Sequence, residues 1–299
     1  MRTPFSTPLS IIVVGTLIFL SAACSGESRE VTGTVDVLSE TATTVSFDGV
    51  PIAYESVGTG TPTLVFVHGW SCDRGYWDAQ VGPFSDRFRV VTLDLAGHGE
   101  SGLERDAWTI ASYGVDVAAV VEHLNLDRVI LVGHSMGGDV VVTAARLLSG
   151  KVAGLIWVDT YNRLGTARTS EEVTEFLAPF HANFADSTYA FVRRALFPPT
   201  ADSALAEQVA RDMAAAPLHV ALPSLESSIT NDRVVPAVLD KLDLPVVSLN
   251  PERSLPDVES LERYGVEVIL VPDVGHFMMM EDPDAFNAIL MEVVEGMLE

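Results

Sequence analysis

The 299 residues carry 41 acidic against 18 basic side chains, a formal charge of −23 that is spread along the chain rather than gathered in a tail. A surface of that sign repels phosphate backbones and anionic headgroups, which argues against nucleic acid as a partner. The length allows one large core with an insertion, and two cysteines, Cys24 and Cys72, supply no disulfide framework, so the fold rests on that core alone.

In chain order the first feature is an export signal over residues 1–23: Arg2, an apolar run over 9–20, then Ser21, Ala22 and Ala23. The run is short for a helix that must cross about 30 Å of hydrocarbon. The stretch 20–24 resembles a bacterial lipobox with Cys24 as the lipid anchor, although Leu20 stands four residues before the cysteine rather than three. Plain cleavage after Ala23 uses the same small residues. Either route implies an exported protein, periplasmic or extracellular. Residues 24–42, rich in Ser, Thr, Glu and Gly, read as a tether to the folded body.

From residue 43 short β-branched runs alternate with helical patterns. Strands are expected over 43–47, 52–57, 64–67, 90–93, 129–132, 155–158, 246–249 and 266–271, and helices over 110–124, 136–148, 256–264 and 284–298. Several of the strands are nearly unbroken apolar runs, as expected of parallel strands covered on both faces. An α/β class with a doubly wound, mostly parallel sheet follows. Residues 160–243 are too long for an ordinary crossover. Helical spacing over 171–184, 188–197 and 201–215 marks them as an inserted helical cap.

Gly133-His134-Ser135-Met136-Gly137 matches G-x-S-x-G and falls between a strand and a helix. There a serine occupies a sharp turn with its hydroxyl exposed, so Ser135 is the candidate nucleophile. A serine hydroxyl needs a base. His276, in the loop after the last strand, fits the order in which the histidine comes last. His68 and His134 adjoin other site positions, His98 lies in a glycine-rich turn, and His123, His181 and His219 fall in helical patterns. Backbone N–H groups of Trp70, after the third strand, and Met136, after the nucleophile, are placed to stabilise an oxyanion. No His/Cys clustering has metal-ligand spacing, and no cofactor is implied.

His68-Gly69-Trp70, the run 94–101, 133–138 and Gly275-His276-Phe277 come in the order seen in the α/β-hydrolase fold family, which the chain resembles from about residue 43 onward. The resemblance implies an eight-stranded α/β-hydrolase fold with a cap inserted after the sixth strand, and a serine esterase acting on a small acyl substrate. A serine nucleophile sets the chain apart from relatives that form an alkyl-enzyme on Asp. The chain departs from the family at the acid, because no Asp follows the seventh strand at 250–254. Asp159, at the end of the sixth strand where some relatives carry their acid, stands beside Glu252 and Asp257 as alternatives. With the acid open, a second reading is a ligand-binding or signalling protein that reuses a hydrolase pocket. Cys72 and Met278-Met279-Met280 read first as buried packing residues.

Overall fold

The computed structural model describes residues 39–299. The expected signal segment, Cys24 and most of the tether lie outside them. Eight strands form one sheet: β1 (Ser39–Val45), β2 (Pro51–Val57), β3 (Thr63–Val67), β4 (Arg89–Leu93), β5 (Val129–His134), β6 (Val152–Val158), β7 (Val246–Pro251) and β8 (Val266–Val271). Their spatial order is β1-β2-β4-β3-β5-β6-β7-β8. Only β2 runs antiparallel to its neighbours; the remaining pairs are parallel, as the apolar runs required.

β1 begins four residues earlier than expected, inside the stretch read as tether, and ends before Phe47. A turn explains the early end: the Ser46 N–H donates to the Val50 carbonyl at 2.8 Å, with Gly49 at φ 88°. Phe47 is left 66% exposed at that turn.

Every residue of β3 and β5 is buried. Successive side chains point to opposite faces, so both faces must be covered. Two helix pairs supply the cover, α1 (Asp78–Ser85) with α11 (Pro283–Gly296), and α2 (Ile110–His123) with α3 (Met136–Leu147). α1 escaped the sequence reading because Gly82 and Pro83, weak helix formers, fall inside it. Packing holds it instead. The Phe66 ring lies 5.0 Å from Trp77 and 6.2 Å from Phe84, all three fully buried, each such side chain contributing about 1.5–3 kcal/mol.

Between β6 and β7 lie α4 (Ser170–Ala182), α5 (Phe184–Phe191), a π-helical turn over Val192–Leu196, α6 (Ser203–Ala214), α7 (Leu218–Asn231) and α8 (Val235–Leu239). The sequence anticipated α4 and α6 and joined the end of α5 to the π turn. Pro217 stands between α6 and α7, just before the first turn of α7, where its missing N–H costs nothing. α7 packs on α2 and α3, and α8 on α3, which docks this insertion beside the centre of the sheet. Two short helices complete the fold, α9 (Val258–Glu262) and α10 (Met278–Glu281). Met278 and Met279 are fully buried in the core, as is the free thiol of Cys72 near the cavity wall.

Candidate active site

Parallel strands deliver the loops that follow them to one edge of the sheet, and the chemically versatile residues collect there. Ser135 comes directly after β5 with φ 51° and ψ −119°, a conformation that costs a non-glycine residue about 1–3 kcal/mol. Its surroundings hold it in place. The Ser135 N–H donates to the Val158 carbonyl at 2.9 Å, and the Gly138 N–H closes the turn on the Ser135 carbonyl at 2.9 Å. A Cβ at Gly133 would lie 2.3 Å from the Gly137 carbonyl oxygen, and one at Gly137 would lie 2.4 Å from that of Val67. Both glycines are therefore required by close backbone approach.

Asp159 occupies the matching place after β6, also at positive φ (44°), with its N–H donated to the Leu249 carbonyl at 2.8 Å. Its carboxylate Oδ2 accepts from His276 Nδ1 at 2.6 Å, and both side chains are only slightly exposed. Of the three carboxylates left open by the sequence, this one is bonded to the histidine. Asp257 lines the same cavity, but its carboxylate accepts from the Ser260 N–H at 3.1 Å and caps α9. Glu252 stands in the turn after β7, lining a separate small cleft.

Ser135 and His276 face one cavity of about 650 Å³, also lined by Trp70 and Met136. Met136 is the first residue of α3, where a backbone N–H has no acceptor in its own helix. The Trp70 indole donates to the Ala221 carbonyl of α7 at 2.7 Å and meets Phe180 and Phe184 edge-on, tying the β3 loop to the cap. The lining mixes apolar Phe176, Phe191, Leu196 and Met213 with polar Arg163, Arg168 and Asp257. Among the described residues no cluster of three or more His, Cys, Asp or Glu is arranged to hold a metal ion.

Three further histidines stand behind this edge, all neutral at pH 7. His68 donates from Nδ1 to the Gly69 carbonyl at 2.8 Å and accepts the Leu95 N–H on Nε2 at 3.0 Å; burial brings its pKa down to about 4. Burial likewise lowers His98 to about 3. Burial first, then the neighbouring His276, pushes His134 well below the usual range. The His134 Nε2–H donates to the His276 backbone carbonyl at 2.9 Å, the two rings lying 4.6 Å apart.

The sequence reading missed Asp139, one turn into α3. It is buried on the cavity wall and accepts from Ser228 Oγ at 2.7 Å and Asn231 Nδ2 at 2.9 Å, both on α7, and from the Tyr161 hydroxyl. Burial raises its pKa to about 6 against these three donors. The available signal was a carboxylate inside an apolar helix, at a position where a helix N-terminus favours negative charge anyway.

The model of the alpha/beta hydrolase family matches residues 64–289. A bifunctional esterase/perhydrolase from Acinetobacter calcoaceticus is 40% identical over 114 residues, covering 37% of this chain and 41% of that protein. A 3-oxoadipate enol-lactonase from Acinetobacter baylyi is 26% identical over 248 residues, covering 79% and 89%. Curated relatives matched at 35% identity or above are spanned over only 26 to 42% of their own length. Among solved structures, a thermophilic esterase from Thermogutta terrifontis superposes with a TM-score of 0.74 at 24% identity, covering 86% of this chain and 99% of that one, which is a likeness of fold.

Proposed function

The chain belongs to the α/β-hydrolase family, and on that premise we propose that it hydrolyses carboxylic esters of small acyl compounds through an acyl-enzyme on Ser135. The observation that carries this reading is the 2.6 Å bond from His276 Nδ1 to Asp159, at the cavity that Ser135 also lines. A carboxylate on Nδ1 fixes the tautomer that leaves Nε2 free as a base, and stabilises the imidazolium formed when the serine proton arrives. Ser135 Oγ attacks the ester carbonyl, and the backbone N–H groups of Trp70 and Met136 receive the oxyanion. His276 returns the proton to the leaving alcohol, then takes one from the water that releases the acid. A cavity of about 650 Å³ suits a small-molecule substrate. Relatives named esterase and enol-lactonase support an ester or lactone carbonyl as the target. The reading as a ligand-binding protein drew on an acid not yet assigned, and the Asp159 bond supports the enzymatic reading over it.

The test is a screen of the chain against p-nitrophenyl esters of increasing length, with Ser135→Ala beside the parent. Burst release from the parent and fluorophosphonate labelling that vanishes in the variant are expected; labelling and turnover that survive the substitution would remove Ser135 from the mechanism. We propose further that the protein is exported and that Cys24 carries a lipid. Cys24→Ser should then abolish acyl labelling and release the protein from membranes. A parent with no acyl label, fractionating as the variant does, points to plain secretion instead.

A further inference from the structure

His276 is held at its backbone as well as at its ring. Its N–H donates to the Leu196 carbonyl at 2.8 Å, at the end of the π-helical turn of the cap, and its carbonyl accepts from His134. On either side of it, the Gly275 N–H donates to Glu281 Oε2 at 3.0 Å and the Phe277 N–H to Glu281 Oε1 at 3.1 Å. One half-buried carboxylate on α10 therefore spans the residue, each oxygen taking one neighbour's N–H. Buried N–H groups left without an acceptor are costly, and charged acceptors make the stronger bonds. Cap and loop also meet through side chains, since Phe197 stacks on Phe277 at 5.2 Å with the rings 20° apart. The fit around Gly275 is close: a Cβ there would lie 2.6 Å from Pro198 Cδ, 2.7 Å from the Leu196 carbonyl oxygen and 2.9 Å from Glu281 Oε1.

We propose that Glu281 is a positioning residue for the hydrolytic reaction, its carboxylate fixing the backbone on both sides of His276 so that the imidazole stands between Asp159 and Ser135. The assignment rests on the esterase reading given above. Glu281 acts through the loop and touches neither substrate nor reacting atoms. The cap carbonyl of Leu196 takes the N–H of His276 itself, so a residue of the cavity wall and the loop that carries the base share a hydrogen bond.

The test compares Glu281→Gln, Glu281→Ala and Gly275→Ala with the parent on p-nitrophenyl acetate. A glutamine offers one oxygen where the carboxylate offers two, and turns an NH2 toward the second N–H, whereas alanine removes both acceptors. Small displacements of a reacting group cost up to about 10²-fold. The expected result is a kcat lowered about 10-fold by glutamine and about 10²-fold by alanine, with KM within about twofold of the parent, because the loss falls on the transition state rather than on binding. Fluorophosphonate labelling of Ser135 should slow in the same ratio. Gly275→Ala, whose Cβ would crowd Glu281 Oε1 together with the Leu196 carbonyl, should show the same split, and the near-isosteric Glu281→Gln carries the test should Glu281→Ala fail to fold. Parental kcat in the folded variants, or a rise in KM with kcat unchanged, overturns the proposal. Ser135→Ala run alongside separates the two claims. If that variant still hydrolyses, the esterase reading fails; if it is inactive while the Glu281 variants match the parent, only the role of Glu281 falls.

Discussion

At the sheet edge each candidate reacting group comes close behind a strand, Ser135 after β5, Asp159 after β6 and His276 in the loop after β8, with ladder bonds to Val158 and Leu249 setting the first two. On the cap side no ladder exists, and the cavity wall is held by long-range contacts between helices: the Trp70 indole to Ala221, and Asp139 to Ser228 and Asn231. The edge is a rigid frame on which a fraction of an ångström is specified by backbone geometry. The cap is attached through helix packing, ring contacts and a few polar bonds, one of them to a buried carboxylate whose pKa burial raises. On the proposed esterase reading, chemistry belongs with the first and access with the second.

The largest effect that would break this division comes from the edge. Ser135→Ala should lower turnover by about 10⁶-fold while leaving thermal unfolding near the parent, because the hydroxyl faces the cavity and its loss opens no core void. A variant that loses both activity and Tm would mean that the elbow is part of the folding core instead. Next is the acid. Asp159→Asn should cut kcat by up to about 10⁴-fold with little change in KM, while Asp257→Asn and Glu252→Gln remain near the parent. The reverse ranking in steady-state assays would move the role to the loop after β7.

The smallest effect lies in the cap contact. Asp139 is raised by burial to about 6 from an ordinary value near 3.8, so the folded state holds a proton that the unfolded chain releases. What the group contributes to stability is complete below about pH 4 and is lost as pH rises through about 6. Asp139→Asn should therefore flatten the pH dependence of Tm between about pH 4 and 6.5, and leave kcat near the parent at pH 8. A parental slope in that variant would show that the contact between α3 and α7 does not titrate in this range.

Much of this was written in local pattern. Short apolar and β-branched runs marked all eight strands, most plainly β3 and β5, because a parallel strand covered on both faces needs apolar residues on both whatever its neighbours are. Gly133 to Gly137 marked the elbow, because only glycine tolerates the approach of those carbonyls, and the position of His276 late in the chain marked the candidate base. The acid was not legible. Asp159, Glu252 and Asp257 each follow or approach a strand end, and the choice depends on which carboxylate meets Nδ1 across the gap from β6 to the loop after β8, a distance that no local pattern encodes. Glu281 and Asp139 were hidden for the same reason: their partners are backbone N–H groups of a folded loop in one case and side chains 89 and 92 residues away in the other. Sequence by itself determined the strands, several of the helices and the order of the candidate reacting groups, because propensity, patterning and turn sterics act over a few residues. Tertiary structure alone decided which carboxylate is bonded to the histidine and which one bonds the backbone on either side of it, because hydrogen bonds between distant segments exist only once the sheet has brought its strand ends together.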